Sequence, residues 1–196
     1  MSSTARPLVI ATAFAASLVL GLLVVFWAMG GVSRVAQPAA IGGPFQLTDQ
    51  SGQAVTEKNL VGHPTLIFFG FTHCPDVCPT ELFQISELLR AMGKDADRVN
   101  AYFVSVDPER DTQAAMKDYL SSFDPHLKGL TGNADAVAKV TSDYRVYAKK
   151  VPLKDGDYTM DHTALIYLMD RDGKFVSPFN INRKPEEAAA DLRRYL

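Results

Sequence analysis

From Leu8 to Met29 the chain carries no charged residue; the run reads LVIATAFAASLVLGLLVVFWAM, with Arg6 and Pro7 before it and Gly30, Gly31 and Arg34 after. As a helix, a run of this length spans about 33 Å, enough to cross a hydrocarbon core. Trp27 stands near its end, where an amphipathic indole suits the membrane interface. The apolar region of a cleaved signal peptide is roughly 7–15 residues long and ends in an A-x-A-like site. This run is longer and no such site follows, so the expectation is a retained transmembrane anchor over residues 8–29 behind a tail of residues 1–7. Arg6 and the terminal amine mildly favour an inward N-terminus and an exported C-terminal domain.

Beyond the run the pattern changes. Residues 30–44 (GGVSRVAQPAAIGGP) have neither helical nor strand period and read as a linker. Phe45–Thr48 and Gln53–Thr56 flank Asp49-Gln50-Ser51-Gly52, which predicts a hairpin. Thr65–Phe71 (TLIFFGF) and Val99–Val106 (VNAYFVSV) are continuous apolar runs, the mark of strands buried on both faces. Leu82, Ile85, Leu89 and Met92 recur at helical spacing and predict a helix from about Pro79 to Met92. Met116, Tyr119, Leu120 and Phe123 mark a second helix, with Asp111 or Thr112 as cap. Leu127–Leu130 is a short strand, and Asn133 caps a third helix with the stripe Val137, Val140 and Tyr144. His162–Met169 and Lys174–Val176 flank Asp170-Arg171-Asp172-Gly173, a second hairpin. Pro185–Tyr195 closes the chain as a helix, acidic early and basic late, in keeping with the helix dipole.

Strands and helices thus alternate through the middle, then a hairpin and a helix follow. The expected class is α/β: a thioredoxin-like (peroxiredoxin-like) order over residues 45–196 with an extra N-terminal β-hairpin, preceded by one transmembrane helix. Composition agrees with a folded chain, 47% hydrophobic and 21% charged. The mean hydropathy of -0.02 is an average over the apolar run and a polar domain. With 20 basic and 22 acidic residues the formal charge is -2, which argues against an electrostatic nucleic-acid partner. Setting aside Arg6 and Arg34, the remainder carries a net charge of -4 and suits a soluble domain better than one lying on anionic lipid.

The chemistry centres on His73-Cys74-Pro75-Asp76-Val77-Cys78-Pro79, between a buried strand and a helix. Open α/β sheets bind ligands beyond the carboxyl ends of their strands. In a helical turn two cysteines four apart put both sulfurs on one face, with Cα atoms about 6 Å apart. That spacing suits either a disulfide or two thiolates on one metal ion, and a helix N-terminus favours the thiolate. A bridge over three residues closes too small a loop to stabilise the fold much, so a reversible redox pair or a soft-metal site is the stronger reading. Of the four histidines, His63 reads as a turn residue, His126 as solvated, and His73 as pointing away from its neighbour Cys74. His162, at the entry to a strand after the polar loop Lys154–Asp161, is a candidate third ligand. Two thiolates and one imidazole suit Cu(I). With Cu(I) such a site has charge -1 and with Cu(II) it is neutral, so both states are accommodated. Structural zinc asks for a fourth ligand, which Asp76 or Asp161 would supply, so zinc stays open. Asp107-Pro108-Glu109-Arg110-Asp111-Thr112 reads as a turn and helix cap with surface ion pairs, or else as a polar rim or docking surface at the site. A peroxidase on this fold would need an activated cysteine beside a base or an arginine, for which Arg145 and Arg110 are the candidates.

FFGFTHCPDVCPTEL, VSVDPERDT and YTMDHTALIYLMDRDGKF, in this order, resemble the Sco/SenC family of copper chaperones over about residues 41–196. The resemblance implies a thioredoxin-like domain tethered to an energy-transducing membrane. It implies copper held by Cys74, Cys78 and His162, and delivery of copper or of reducing equivalents to the dinuclear copper A site of cytochrome c oxidase. The implied protein is a carrier rather than an enzyme. The alternative is a thiol-disulfide reductase in which Cys74 attacks and Cys78 resolves, keeping the oxidase cysteines reduced. The expected partners are the copper A subunit, and another copper chaperone or a thioredoxin-like reductant. The short segment before the apolar run leaves no room for a mitochondrial transit peptide, so the expected setting is a bacterial inner membrane with the domain in the periplasm. Asp76, Asp107 and Asp111 match the motifs without an assigned role.

Overall fold

Continuous apolar runs pair at the centre of the domain, as their composition requires. In the computed structural model, which describes residues 5–28, 40–154 and 156–196, strands β3 (Thr65–Gly70) and β4 (Asn100–Ser105) lie side by side and parallel. All six residues of β3 are buried. Strand β5 (Leu127–Thr131) continues the parallel pairing on β4. A hairpin of β1 (Gln46–Asp49) and β2 (Ala54–Thr56) adds antiparallel to β5. On the other side β8 (Ile166–Met169) pairs antiparallel with β3 and carries β9 (Phe175–Pro178). The sheet order is β2-β1-β5-β4-β3-β8-β9, so the expected parallel centre with antiparallel flanks is observed.

Alternation along β3 sends its side chains to two different layers. Phe69 meets Tyr144 at the end of helix α4 (Ala134–Asp143) and Tyr167 of β8. Phe68 stacks on Phe103 of β4, which in turn meets Tyr119 of helix α3 (Gln113–Leu120). Gly70 faces helix α2 (Val77–Met92), where a Cβ would come within 2.7 Å of the Phe103 ring and 2.8 Å of the Cys78 sulfur. Helix α5 (Pro185–Arg193) packs against α2.

The caps follow local chemistry. The Thr112 hydroxyl accepts from the Ala115 N–H, and the Asn133 side chain accepts from the Ala136 N–H. Asp111, the other cap candidate, is fully buried instead. Asp49 and Asp170 close the two expected hairpin turns by accepting backbone N–H groups from inside the turn.

Two expectations are corrected. Residues 154–161 are not simply a polar loop: β6 (Ala148–Pro152) and β7 (Tyr158–His162) form a separate two-stranded antiparallel sheet. His162 therefore ends a strand rather than opening one. Helix α2 starts at Val77, two residues before Pro79, and leaves Cys74 in the preceding loop.

Residues 1–39 form a unit of their own. Within it helix α1 spans Ala5–Ala28, and its described side chains, residues 12–27, are exposed. Among the described residues no helix is long and apolar enough to cross a membrane. Met29 and residues 30–39 of the expected linker, like Met1–Thr4 of the expected tail, lie outside the described residues. The second unit runs from Ala40 to Leu196, and the Gly42 N–H donates to the Asp143 carbonyl within it.

Two outcomes follow from this packing. Gly70→Ala should destabilise the domain by roughly 1–3 kcal/mol, since the methyl has no space between Phe103 and Cys78, as read by denaturant unfolding of the detergent-solubilised chain. His126, expected to be solvated, instead bridges Asp124 and Asp97, and the bond to Asp124 chiefly raises its pKa above the ordinary 6.5. A raised folded value means this contribution is fully present below about pH 6.5 and is lost as pH climbs through the folded value. His126→Gln should flatten that part of the curve of unfolding midpoint against pH.

Candidate metal centre

The site is built where β3 ends and α2 begins. The chain turns at Phe71, whose carbonyl accepts from the Cys74 N–H at 3.2 Å. Cys78, in the first turn of α2, donates its N–H to the Cys74 sulfur at 3.4 Å. This bond, rather than shared helical geometry, brings the two sulfurs together. Both cysteines are free thiols; Cys74 is 9% exposed and Cys78 is fully buried.

His162 reaches the same point from the end of β7. Its Nδ1 lies 3.1 Å from the Thr163 carbonyl and its Nε2 lies 3.6 Å from the Cys78 sulfur. A carbonyl can only accept, so Nδ1 carries a hydrogen, and Nε2 is the ring nitrogen that faces the sulfurs. Phe71 and Phe68 hold the ring edge-on, at 5.7 Å and 6.3 Å between centroids. The donor atoms of Cys74, Cys78 and His162 all lie within 4.8 Å of one another.

Burial dominates the electrostatics. The Cys78 thiol is pushed far above its ordinary range by desolvation, and its neighbour Cys74 adds to the effect. This desolvation opposes the thiolate form that a helix N-terminus favours. A bound cation would reverse this balance, since its charge favours the deprotonated sulfur.

Two carboxylates beside the site are buried; Asp107 pairs with Arg110 inside the protein, while the surface ion pair expected of the segment is made by Glu109 with Lys150. Asp111 accepts from the Thr72 N–H and hydroxyl and from the Ser105 hydroxyl. Desolvation raises its pKa even though those donors favour the charged form. Asp107, also buried, binds Arg110 and Tyr158. Asp111 thereby pins the cysteine loop to the end of β4, and Asp107 pins the β6–β7 hairpin.

The remaining candidates lie elsewhere. Asp76 and Asp161 are exposed and fall outside the three-donor cluster. His63 contacts the Arg98 carbonyl, and His73 is exposed beside the Thr72 hydroxyl. Arg145 takes a positive φ of 58° just after α4, and Arg110 is committed to Asp107 and Tyr158. Sequence reasoning missed Phe71, Thr72 and Tyr158, whose signals are one aromatic at a strand end, one hydroxyl before a cysteine and one aromatic in a polar segment.

Comparison with known proteins agrees with this architecture. The SCO1/SenC family description matches residues 33–196. The mitochondrial SCO2 homolog of Danio rerio is 41% identical over 157 residues, covering 79% of this chain and 56% of the relative. A SCO2-like protein of Rickettsia conorii is 38% identical over 166 residues, covering 84% of this chain and 81% of the relative. The chain spans about half the length of the first curated relatives it matches, 56% and 48%. Among solved structures, copper-bound ScoI of Bradyrhizobium japonicum superposes with a TM-score of 0.79 at 80% identity, covering 80% of this chain and all of that one. Copper-bound ScoI of Arabidopsis thaliana gives 0.72 at 40% identity, covering 80% of this chain and 98% of its own. The α/β domain is thioredoxin-like, and the chain belongs to the SCO1/SenC family.

Proposed function

We propose that this chain is a membrane-tethered copper carrier that holds the ion on Cys74, Cys78 and His162 and passes it to the dinuclear copper A site of cytochrome c oxidase. One observation carries the reading: two sulfurs from one loop–helix turn and an imidazole nitrogen 84 residues beyond Cys78 converge within 4.8 Å. Two thiolates and one imidazole form a soft, three-coordinate set that fits Cu(I) better than zinc, which wants a fourth ligand. Relatives solved with copper bound support the choice of metal. The oxidase as recipient rests on family membership. The copper A subunit, a second copper chaperone and a thioredoxin-like reductant are the partners this role calls for.

Burial and release are balanced at this site. Cys78 is sealed against β3 while Cys74 keeps a little exposure. An incoming thiolate can therefore attack the ion from the Cys74 side and exchange ligands one at a time. Two adjacent free thiols also favour a second reading, reduction of a partner disulfide by Cys74 with Cys78 as the resolving thiol.

Anchoring belongs to the same proposal. The apolar run of residues 8–29, much of it within helix α1, would hold the domain at the periplasmic face of a bacterial inner membrane.

The Cys74→Ser/Cys78→Ser chain should take up no stoichiometric Cu(I) in a chelator competition, because an alcohol is a poor soft-metal ligand. His162→Ala should bind Cu(I) more weakly and keep full activity in a disulfide-reduction assay. Retained stoichiometric copper in the double serine variant would end the carrier reading. Loss of oxidase assembly in cells with His162→Ala, at full reductase activity, would favour carrier over reductase. The full chain should resist extraction of membranes by alkaline carbonate, whereas a chain beginning at residue 36 should be released; equal release of both would remove the anchor.

A further inference from the structure

The hairpin that carries His162 is not hydrogen-bonded into the main sheet; β6 and β7 pair with each other alone. To serve as a third donor its imidazole has to be held within about 0.5 Å of one place over the sulfurs. A loop end held at one point would swing.

A clamp on the far end of β7 supplies the missing constraint. Asp107, at the end of β4, uses both carboxylate oxygens: Oδ1 accepts from the Tyr158 hydroxyl at 2.9 Å and Oδ2 from Arg110 Nε at 2.6 Å. The Asp107 backbone is itself fixed, since its N–H donates to the Ser105 hydroxyl and its carbonyl accepts from Asp111. Arg110 then donates from Nη1 to the Tyr158 carbonyl at 2.9 Å and reaches Asp157 at 3.3 Å. Its guanidinium lies 3.7 Å from the centre of the Tyr158 ring, and the Lys150 ammonium, paired with Glu109, lies 3.8 Å from the same ring. Arg110 thus grips both the backbone and the ring of one residue of β7. The guanidinium is also over Phe71, at 5.8 Å, and Phe71 is the ring that holds His162 edge-on.

Tyr158 and His162 are four residues apart on a strand, so they share a face and stand about 13 Å apart. Fixing Tyr158 fixes the direction of the strand that ends in His162. At its centre the Arg110 and Asp107 side chains are 16% and 3% exposed, so their charged hydrogen bond is less screened by solvent than a surface pair. Arg110 Nη2 is buried without a hydrogen-bond partner, a cost against the clamp that a surface pair would not bear.

We propose that Arg110, locked by Asp107 and Tyr158, is a positioning residue that sets His162 over Cys74 and Cys78 and so controls the third bond to the ion. This rests on the copper-site reading above. The test uses the full chain, reduced and in detergent. Cu(I) affinity is measured by chelator competition for wild type, Arg110→Gln, His162→Ala and the double variant. Arg110→Gln should weaken Cu(I) binding by about tenfold, the scale seen when a partner behind a metal ligand is lost. In the His162→Ala background the same substitution should have no further effect. An equal loss with and without His162 would show that the clamp serves the domain in general, and would overturn the proposal.

A second measurement needs no metal. The nuclear Overhauser contact between the His162 and Phe71 rings should be strong in wild type and lost in Arg110→Gln; its survival would also overturn the proposal. Should His162→Ala leave Cu(I) affinity unchanged, the copper-site reading fails, and the ring contact alone decides whether Arg110 positions the imidazole. Tyr158→Phe removes only the hydroxyl bond to Asp107 and should act in the same direction, which keeps the test decisive if Arg110→Gln does not fold.

Discussion

The sulfur of Cys78 occupies the space that a side chain at position 70 would fill. Gly70 is the last residue of β3, and a methyl there would overlap both the sulfur and Phe103. This absence lets the first turn of α2 press against the sheet. The contact buries one sulfur fully, and Cys78 in turn ties Cys74 to the site through its own N–H. His162 then has a fixed sulfur to meet. A larger residue at position 70 would displace the helix start, both sulfurs and the imidazole's target together.

Holding a reactive edge in place takes polar groups where the apolar core ends. β3 and β4 finish side by side, and the chain continues from each into a loop with unpaired N–H groups. Asp111 answers for the Thr72 N–H at the end of β3, and Asp107 for the hairpin across the site. Burying either carboxylate without partners would be costly, of order several kcal/mol. Each has two or more donors, so the cost is offset by charge-assisted hydrogen bonds. Such bonds are directional, whereas apolar contact is not. The carboxylates therefore fix geometry at the edge, while the phenylalanines of β3 and β4 supply the cohesion behind it.

This division explains what was legible in the sequence. Thr65–Gly70 and Asn100–Ser105 announced themselves because a strand buried on both faces must be apolar throughout. Thr112 and Asn133 were readable as caps because capping is local chemistry. The cysteine pair and His162 came from a motif and a resemblance, and the three donors do meet. The β6–β7 hairpin is not legible because Ala148, Lys149, Lys150 and Asp161 are exposed and Tyr158 and Met160 are only half-buried. That composition reads as a loop. Between surface ion pairs and a polar rim at the site, the sequence does not decide for Asp107 and Asp111 for a related reason: a carboxylate's burial depends on donors distant in sequence, and Thr72 is 39 residues from Asp111. Periodicity reports the environment of apolar residues well and that of paired polar ones hardly at all.

The two sides of the site are held by different means, and that difference has a chemical consequence. The sulfurs belong to the main sheet and its first helix, inside the core. The imidazole belongs to a two-stranded sheet that joins the body through side chains. Local opening takes the least free energy where few buried apolar contacts and many solvent-exposed backbone hydrogen bonds hold a segment. By that criterion the hairpin, held to the body chiefly at Tyr158, opens before β3 and α2 do. In the carrier reading proposed above, His162 would be the first of the three donors to let go, and the partly exposed Cys74 side would receive the incoming thiolate. Carrying one donor on the hairpin and two on the core would, in that reading, favour stepwise exchange.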